Sequence, residues 1–175
     1  MTIRKFEHHL PQLAEGAWVD ESALVLGKVS LAEDCSIWPM TVLRGDIHEI
    51  HVGKRTNIQD GSVVHVTHES RFNPNGFPTL IGENVTIGHK AIIHACRIDD
   101  LSLIGMGAIL LDGCHVQSEV IVGAGSVVPP GKVLESGYLW LGSPARRVRA
   151  LTAQELEYLN YSANYYVELK NRHRV

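Results

Sequence analysis

Aliphatic residues recur at every sixth position along most of this chain, and no other feature restricts its fold as much. The column runs through Val19, Val25, Leu31, Ile37 and Leu43, resumes at Val52, Ile58 and Val64, and returns at Ile81, Ile87 and Ile93. After a one-residue slip it continues through Ile98, Ile104, Leu110, Val116, Val122 and Val128. An amphipathic helix repeats at three and four residues and a half-buried strand at two, so neither accounts for sixes over this length. A coil of short strands does. Each hexapeptide forms one side, and three sides make a turn of about eighteen residues in an all-β parallel β-helix shaped as a triangular prism. Small or β-branched residues four places after the aliphatic one, among them Ala23, Cys35, Thr41, Ser62, Ala91 and Ser126, fit the same coil. Gly53, Gly82, Gly88, Gly105 and Gly123 follow the aliphatic residue directly and read as corners that use glycine's tolerance of positive φ.

The pattern breaks twice. Residues 66–80, with Pro74, Gly76 and Pro78, read as a loop projecting from one corner. Pro129, Pro130 and Gly131 end the coil, and a short extended segment follows through Gly142. A helix is expected over about 152–172, capped by Thr152 with Glu155 three residues on. Leu156, Leu159, Ala163, Tyr166 and Val167 give it one apolar face to lay along the β-helix, and one of its tyrosines is expected to reach a neighbouring pocket. Residues 1–175 are thus read as a single domain, with the β-helix over about 12–142.

A formal charge of −3 offers no general attraction for nucleic acid. The first ten residues are charged rather than apolar, and no apolar run approaches a membrane span of about eighteen residues, so a cytoplasmic protein with no membrane partner is expected. Cys35 and Cys114 fall in the small-residue slot of the repeat with Cys96 close by, which suits buried packing; zinc-finger spacing is absent.

A β-helix needs no histidines, yet His65 follows Val64 by one and His94 follows Ile93 by one, which is the same slot of two hexapeptides. If the 66–80 insertion stays at one corner, these two stack one coil apart, at a strand spacing of about 4.8 Å. Two imidazoles so placed can converge on one ion at about 2.0–2.1 Å. His89, two past Ile87, lies near a corner and points away from that pair, so it is read as completing the site of a neighbouring subunit in a homotrimer. Three histidines and an open water position make a catalytic rather than a structural zinc arrangement, and iron or cobalt would suit the same ligands. Arg44-Gly45-Asp46 is read as a subunit-interface ion pair rather than an adhesion motif.

The run VLRGDIHEIHVGKRTNIQDGSVVH, followed by VTIGHKAIIHAC, resembles the gamma-class carbonic anhydrase family, and the tail ESGYLWLGSPARRVRALT with YSANYYV is similar to its YrdA-type bacterial branch. The resemblance implies a left-handed coil, His65 and His94 binding a zinc-type ion with His89 of an adjacent subunit, and reversible hydration of carbon dioxide to bicarbonate by metal-bound hydroxide. It implies further that Arg44 and Asp60 pair across the interface with Asp46 beside them, that Gln59 orients the hydroxide, and that Asn57 belongs to the same motif. Arg44 would also steady the anionic product. The chain departs from the family where the proton leaves: Ile47 stands after Asp46 in place of a Glu, and His68 replaces the loop's shuttling Glu. His68 or Glu69 is read as the relay, and without one the enzyme would be slow or inactive. Two other functions stay open. One is a hexapeptide acyltransferase working on an acyl-CoA with a single His as base, and the other is a non-catalytic, metal-stabilised trimeric scaffold.

Overall fold

The computed structural model describes residues 2–174, and its short strands stack in parallel on three faces. The first face carries Ile3–Arg4, the opening halves of Leu24–Leu31 and Val42–Val52, then Val63–His65, Ile92–His94, Ile109–Leu110 and Val127–Val128. The second carries Gln12–Leu13, the closing halves of those two long strands, then Thr79–Ile81, Arg97–Ile98, His115–Val116 and Val133–Leu134. The third carries Trp18–Val19, Ser36–Ile37, Asn57–Ile58, Thr86–Ile87, Leu103–Ile104, Ile121–Val122 and Tyr138–Gly142, and ends in the antiparallel strand Ala145–Ala150.

The sixfold column is the core. Val25, Ile37, Leu43, Ile58, Ile87 and Ile104 are wholly buried, and Val19 at the open end is partly so. Each such side chain contributes about 1.5–3 kcal/mol by leaving water. The small-residue slot is buried too, and its hydroxyls donate to carbonyls one coil on: Thr41 Oγ1 to Gln59 at 2.9 Å, Thr56 Oγ1 to Gly82 at 2.8 Å, Ser62 Oγ to Gly88 at 3.1 Å. Buried polar atoms are thereby satisfied inside an aliphatic prism.

Three sequence expectations need correction. The coil does not end at Pro129: Leu134 and Trp140, six and twelve past Val128, are buried and in register with the coil beneath. A Pro–Pro–Gly corner is compatible with this because Pro129 and Pro130 lie outside the strand bonds. The glycines directly after the aliphatic column are not the positive-φ residues. That conformation falls three places after it, at Asp34, Met40, Arg55, Asn84, Lys90, Gly107 and Gly125 among others. Gly88 and Gly105 are small because the next coil is close: a Cβ on Gly105 would lie 2.5 Å from the Ala124 nitrogen, and one on Gly88 2.8 Å from that of Met106. Finally, the loop after His65 is shorter than expected, since Thr79–Ile81 is already strand. Thr67 and Phe77 close it by a reciprocal backbone pair.

The gap between Leu43 and Val52 has a local cause. Gly27 pairs with Gly45 but Val29 pairs with Ile50, so residues 46–49 bulge outward opposite Lys28 and carry Asp46 with them. The helix Ala153–His173 begins with the expected capping box of Thr152 and Glu155. It lies on the third face, against Ser36–Ile37, Asn57–Ile58 and Thr86–Ile87. Leu159 and Ala163 are buried as expected, and the buried stripe also includes Ser162 and Lys170, whose Nζ donates to Asp34 Oδ1 at 2.9 Å. No helix among the described residues is long and apolar enough to cross a membrane.

Candidate metal centre

Adjacent coils place His65 and His94 as direct register partners at the end of the first face. Their ring centroids are 5.2 Å apart, and His65 Nδ1 lies 3.2 Å from His94 Nε2. Each outer nitrogen meets a carboxylate, His65 Nε2 at 3.0 Å from Asp46 Oδ1 and His94 Nδ1 at 2.6 Å from Asp112 Oδ1. A carboxylate draws the ring proton to its own side, so the two facing nitrogens present lone pairs to each other. Two lone pairs at 3.2 Å repel unless a proton or a cation accepts both. Two ligands of a tetrahedral ion, each at about 2.0–2.1 Å, sit about 3.3–3.4 Å apart, so the observed spacing fits a metal of the zinc type.

The electrostatics support neutral imidazole. Burial lowers the pKa of His65, which keeps the ring in the ligand form. Burial would raise Asp46, but hydrogen bonds from Arg44 and His65 outweigh it and hold the carboxyl below its usual range. Asp112 is likewise held down, against its burial, by Thr67 and His94. Arg44 Nη1 reaches Asp46 Oδ2 at 2.5 Å, so within one chain its partner is Asp46 rather than Asp60.

His89, Gln59 and Asp60 occupy the opposite edge of the first face, at the corner leading in from the third. Asp60 Oδ2 lies 2.9 Å from His89 Nδ1, which repeats the carboxylate backing of the other two rings. The His89 side chain is 44% exposed, leaving its Nε2 edge open to a neighbour. Among the described residues no group of three or more His, Cys, Asp or Glu gathers within the chain to hold an ion. Gln59 and Asn57 are buried, and Gln59 Nε2 donates to Asn57 Oδ1 at 3.1 Å. His68 is exposed on the loop, and no hydrogen bond among the described residues ties it to either ring.

Between the two corners the first face turns an aliphatic ladder outward: Leu24, Val42, Val63, Ile92, Ile109 and Val127 are successive register partners. None is buried, and Val63 and Ile92 are 40% and 41% exposed. A cleft of about 460 Å³ also opens between the third face and the helix, lined by Gln59, Thr86, His89, Tyr158, Ser162 and Tyr166 among others. Two of the helix tyrosines thus do reach a pocket.

Sequence reasoning missed Asp112, Thr67, Thr86 and Ser162. Asp112 was within reach of the register argument, since it sits two past Leu110, one coil beyond His94 at the same corner.

No protein-family model matches the chain. It is 51% identical over 171 residues to the protein YrdA of Escherichia coli, covering 98% of this chain and 93% of that one. It is 44% identical over 163 residues to the mitochondrial gamma carbonic anhydrase 2 of Arabidopsis thaliana, covering 93% of this chain and 58% of the plant protein. Among solved structures, a hexapeptide transferase family protein from Anaplasma phagocytophilum superposes with a TM-score of 0.89 at 37% identity, over 97% of this chain and 96% of that one. The shared architecture is the left-handed β-helix.

Proposed function

We propose metal-dependent hydration of carbon dioxide for this chain, which belongs to the gamma-class carbonic anhydrase family in its YrdA-type branch. The observation that carries the reading is the pair of carboxylate-backed imidazole nitrogens, His65 Nδ1 and His94 Nε2, at a ligand–ligand spacing of 3.2 Å. The third ligand is His89 of the partner subunit. Three copies apposing their first faces around a threefold axis bury the aliphatic ladder and bring one corner of each chain to the opposite corner of the next.

Zinc, or iron or cobalt, would supply Lewis-acid activation of a water, lowering its pKa toward about 7. The chain's own residues do the rest. Gln59 turns its amide oxygen to the reacting water and fixes its orientation. Arg44, held by Asp46, offers its guanidinium to bicarbonate. Asp46, Asp112 and Asp60 keep the three rings in the ligand tautomer. The proton leaves through His68 or Glu69 on the exposed loop, because Ile47 gives no carboxylate beside Asp46. With three free, buried cysteines, the protein is read as cytoplasmic.

A specific observation favours each of two other readings. The transferase-family likeness favours acyl transfer from an acyl-CoA, with His89 beside the cleft as base. Ile47, 42% exposed where a shuttling carboxylate would stand, favours a metal-stabilised scaffold. Stopped-flow carbon dioxide hydration by zinc-, iron- and cobalt-reconstituted protein, run beside an acyl-CoA consumption assay, separates the three. Hydration that tracks metal content supports the main reading. Full metal content with only buffer-level hydration sinks it in favour of the scaffold, and acyl-CoA turnover sinks it in favour of transfer.

A further inference from the structure

A line of buried side chains runs from the C-terminal helix to Gln59. Ser162 Oγ lies 2.9 Å from Thr86 Oγ1, Asn57 Nδ2 donates to Thr86 Oγ1 at 3.0 Å, and Gln59 Nε2 donates to Asn57 Oδ1 at 3.1 Å. All four residues are at most 5% exposed. The order of donors and acceptors has one fixed point, the Val85 carbonyl, which can only accept and lies 3.4 Å from Asn57 Nδ2. Asn57 therefore presents its oxygen to Gln59, Gln59 commits its NH2 to Asn57, and the free end of the Gln59 amide is Oε1, an acceptor.

Thr86 is the weak point of this order. A hydroxyl can accept from Asn57 Nδ2 or turn and donate to an oxygen in that place, so by itself it tolerates either orientation of the Asn57 amide. Once the Val85 carbonyl has turned Asn57 Nδ2 toward Thr86, the Thr86 hydroxyl accepts there and has its proton free for Ser162 Oγ; a Ser162 hydroxyl accepting that proton holds the Thr86 lone pair toward Asn57.

We infer that Ser162 is a positioning residue: the helix, through Ser162, Thr86 and Asn57, locks Gln59 as a hydrogen-bond acceptor toward the reacting position. This rests on the proposed hydration reaction for its consequence but not for its geometry. An acceptor at Gln59 recognises an O–H group and rejects a bare anion's oxygen. The helix thus sets which form of the reacting oxygen species the corner favours, a water or a protonated carbonate rather than an unprotonated oxyanion.

The test compares Ser162→Ala, Ser162→Thr and Thr86→Val with the parent trimer. Two measurements are made on each: side-chain amide hydrogen exchange of Gln59 by NMR, its signals identified by their loss in Gln59→Glu, and the pH profile of carbon dioxide hydration. Expected are amide protons exchanging at least about tenfold faster in Ser162→Ala and Thr86→Val, with parental protection in Ser162→Thr. The thermal midpoint should be near parental in Ser162→Ala. Hydration kcat should fall about tenfold in the first two variants, a typical loss for a supporting hydrogen bond, and recover in Ser162→Thr. Unchanged Gln59 exchange in Ser162→Ala overturns the inference, as does equal loss in Ser162→Thr. If the parent hydrates no carbon dioxide, the function fails while the exchange measurement still decides this proposal.

Discussion

Asp112 grips His94 from the coil above: one carboxylate oxygen lies 2.6 Å from His94 Nδ1, and the other accepts from Thr67 Oγ1 at 2.5 Å. The loop that interrupts the repeat is thereby tied to the His94 ring. Replacing Asp112 with Asn keeps the shape but removes the charge that raises ring basicity. Metal affinity, measured by chelator competition, should fall about 10–100-fold with the fold intact. Parental affinity would remove Asp112 from the site.

His89 stands apart from the other two rings, so its loss should act on a neighbour. In His89→Ala the metal content per chain should drop sharply, because two imidazoles alone hold a zinc-type ion weakly. The assembly mass by light scattering should stay that of the parent. Full occupancy in this variant contradicts a shared site and leaves the β-helix untouched.

The aliphatic ladder predicts the converse. Lys at Ile92, introduced beside Val63 on the outward side of the first face, puts a charge where apolar surface is to be buried, without touching the core. Ile92→Lys should yield a folded monomer by light scattering, and that monomer should lose metal together with its neighbour. A variant that stays assembled and metal-loaded places the interface elsewhere.

The sixfold column and the stacking of His65 on His94 follow from register alone, because in a coil every position is fixed by its distance from the last aliphatic residue. Leu134 and Trp140 obey the same register, but the Pro–Pro–Gly between them and Val128 reads as a stop. What register cannot supply is which side chains meet across non-equivalent slots. Asp46 reaches His65 only because residues 46–49 bulge, and Ser162 reaches Thr86 only because the helix docks on the third face. Both depend on tertiary contacts with no periodic trace in the chain.

The two glycine classes should respond differently. Gly105→Ala brings a Cβ within 2.5 Å of the Ala124 backbone nitrogen and should cost about 1–3 kcal/mol of stability, the usual range for overpacking. Gly107, at φ +66 with open space about it, sits in the slot that Asn84 fills elsewhere. Gly107→Asn should therefore carry only the modest strain of a left-handed backbone that Asn tolerates, and cost less than Gly105→Ala. Urea unfolding midpoints decide, and equal losses would refute the distinction.

Acid should loosen the helix before the coil. The Glu155 carboxyl is brought from an ordinary 4.5 down to about 2 by its hydrogen bonds with Arg149 and then the Thr152 backbone. A carboxyl with a depressed folded pKa stabilises fully above its unfolded value and loses that contribution as pH falls through the folded value. The capping contribution is therefore complete above about pH 4.5 and declines from there toward pH 2. Trp38 packs against Tyr166 and His173 of the helix at 5.4 and 5.2 Å between ring centroids, so its fluorescence reports docking. Between those pH values the emission should shift toward that of an exposed indole. Glu155→Gln should start at lower stability and lose most of that pH dependence, because nothing remains at the cap to titrate. A parental acid transition in Glu155→Gln would assign the loosening to carboxylates other than the cap.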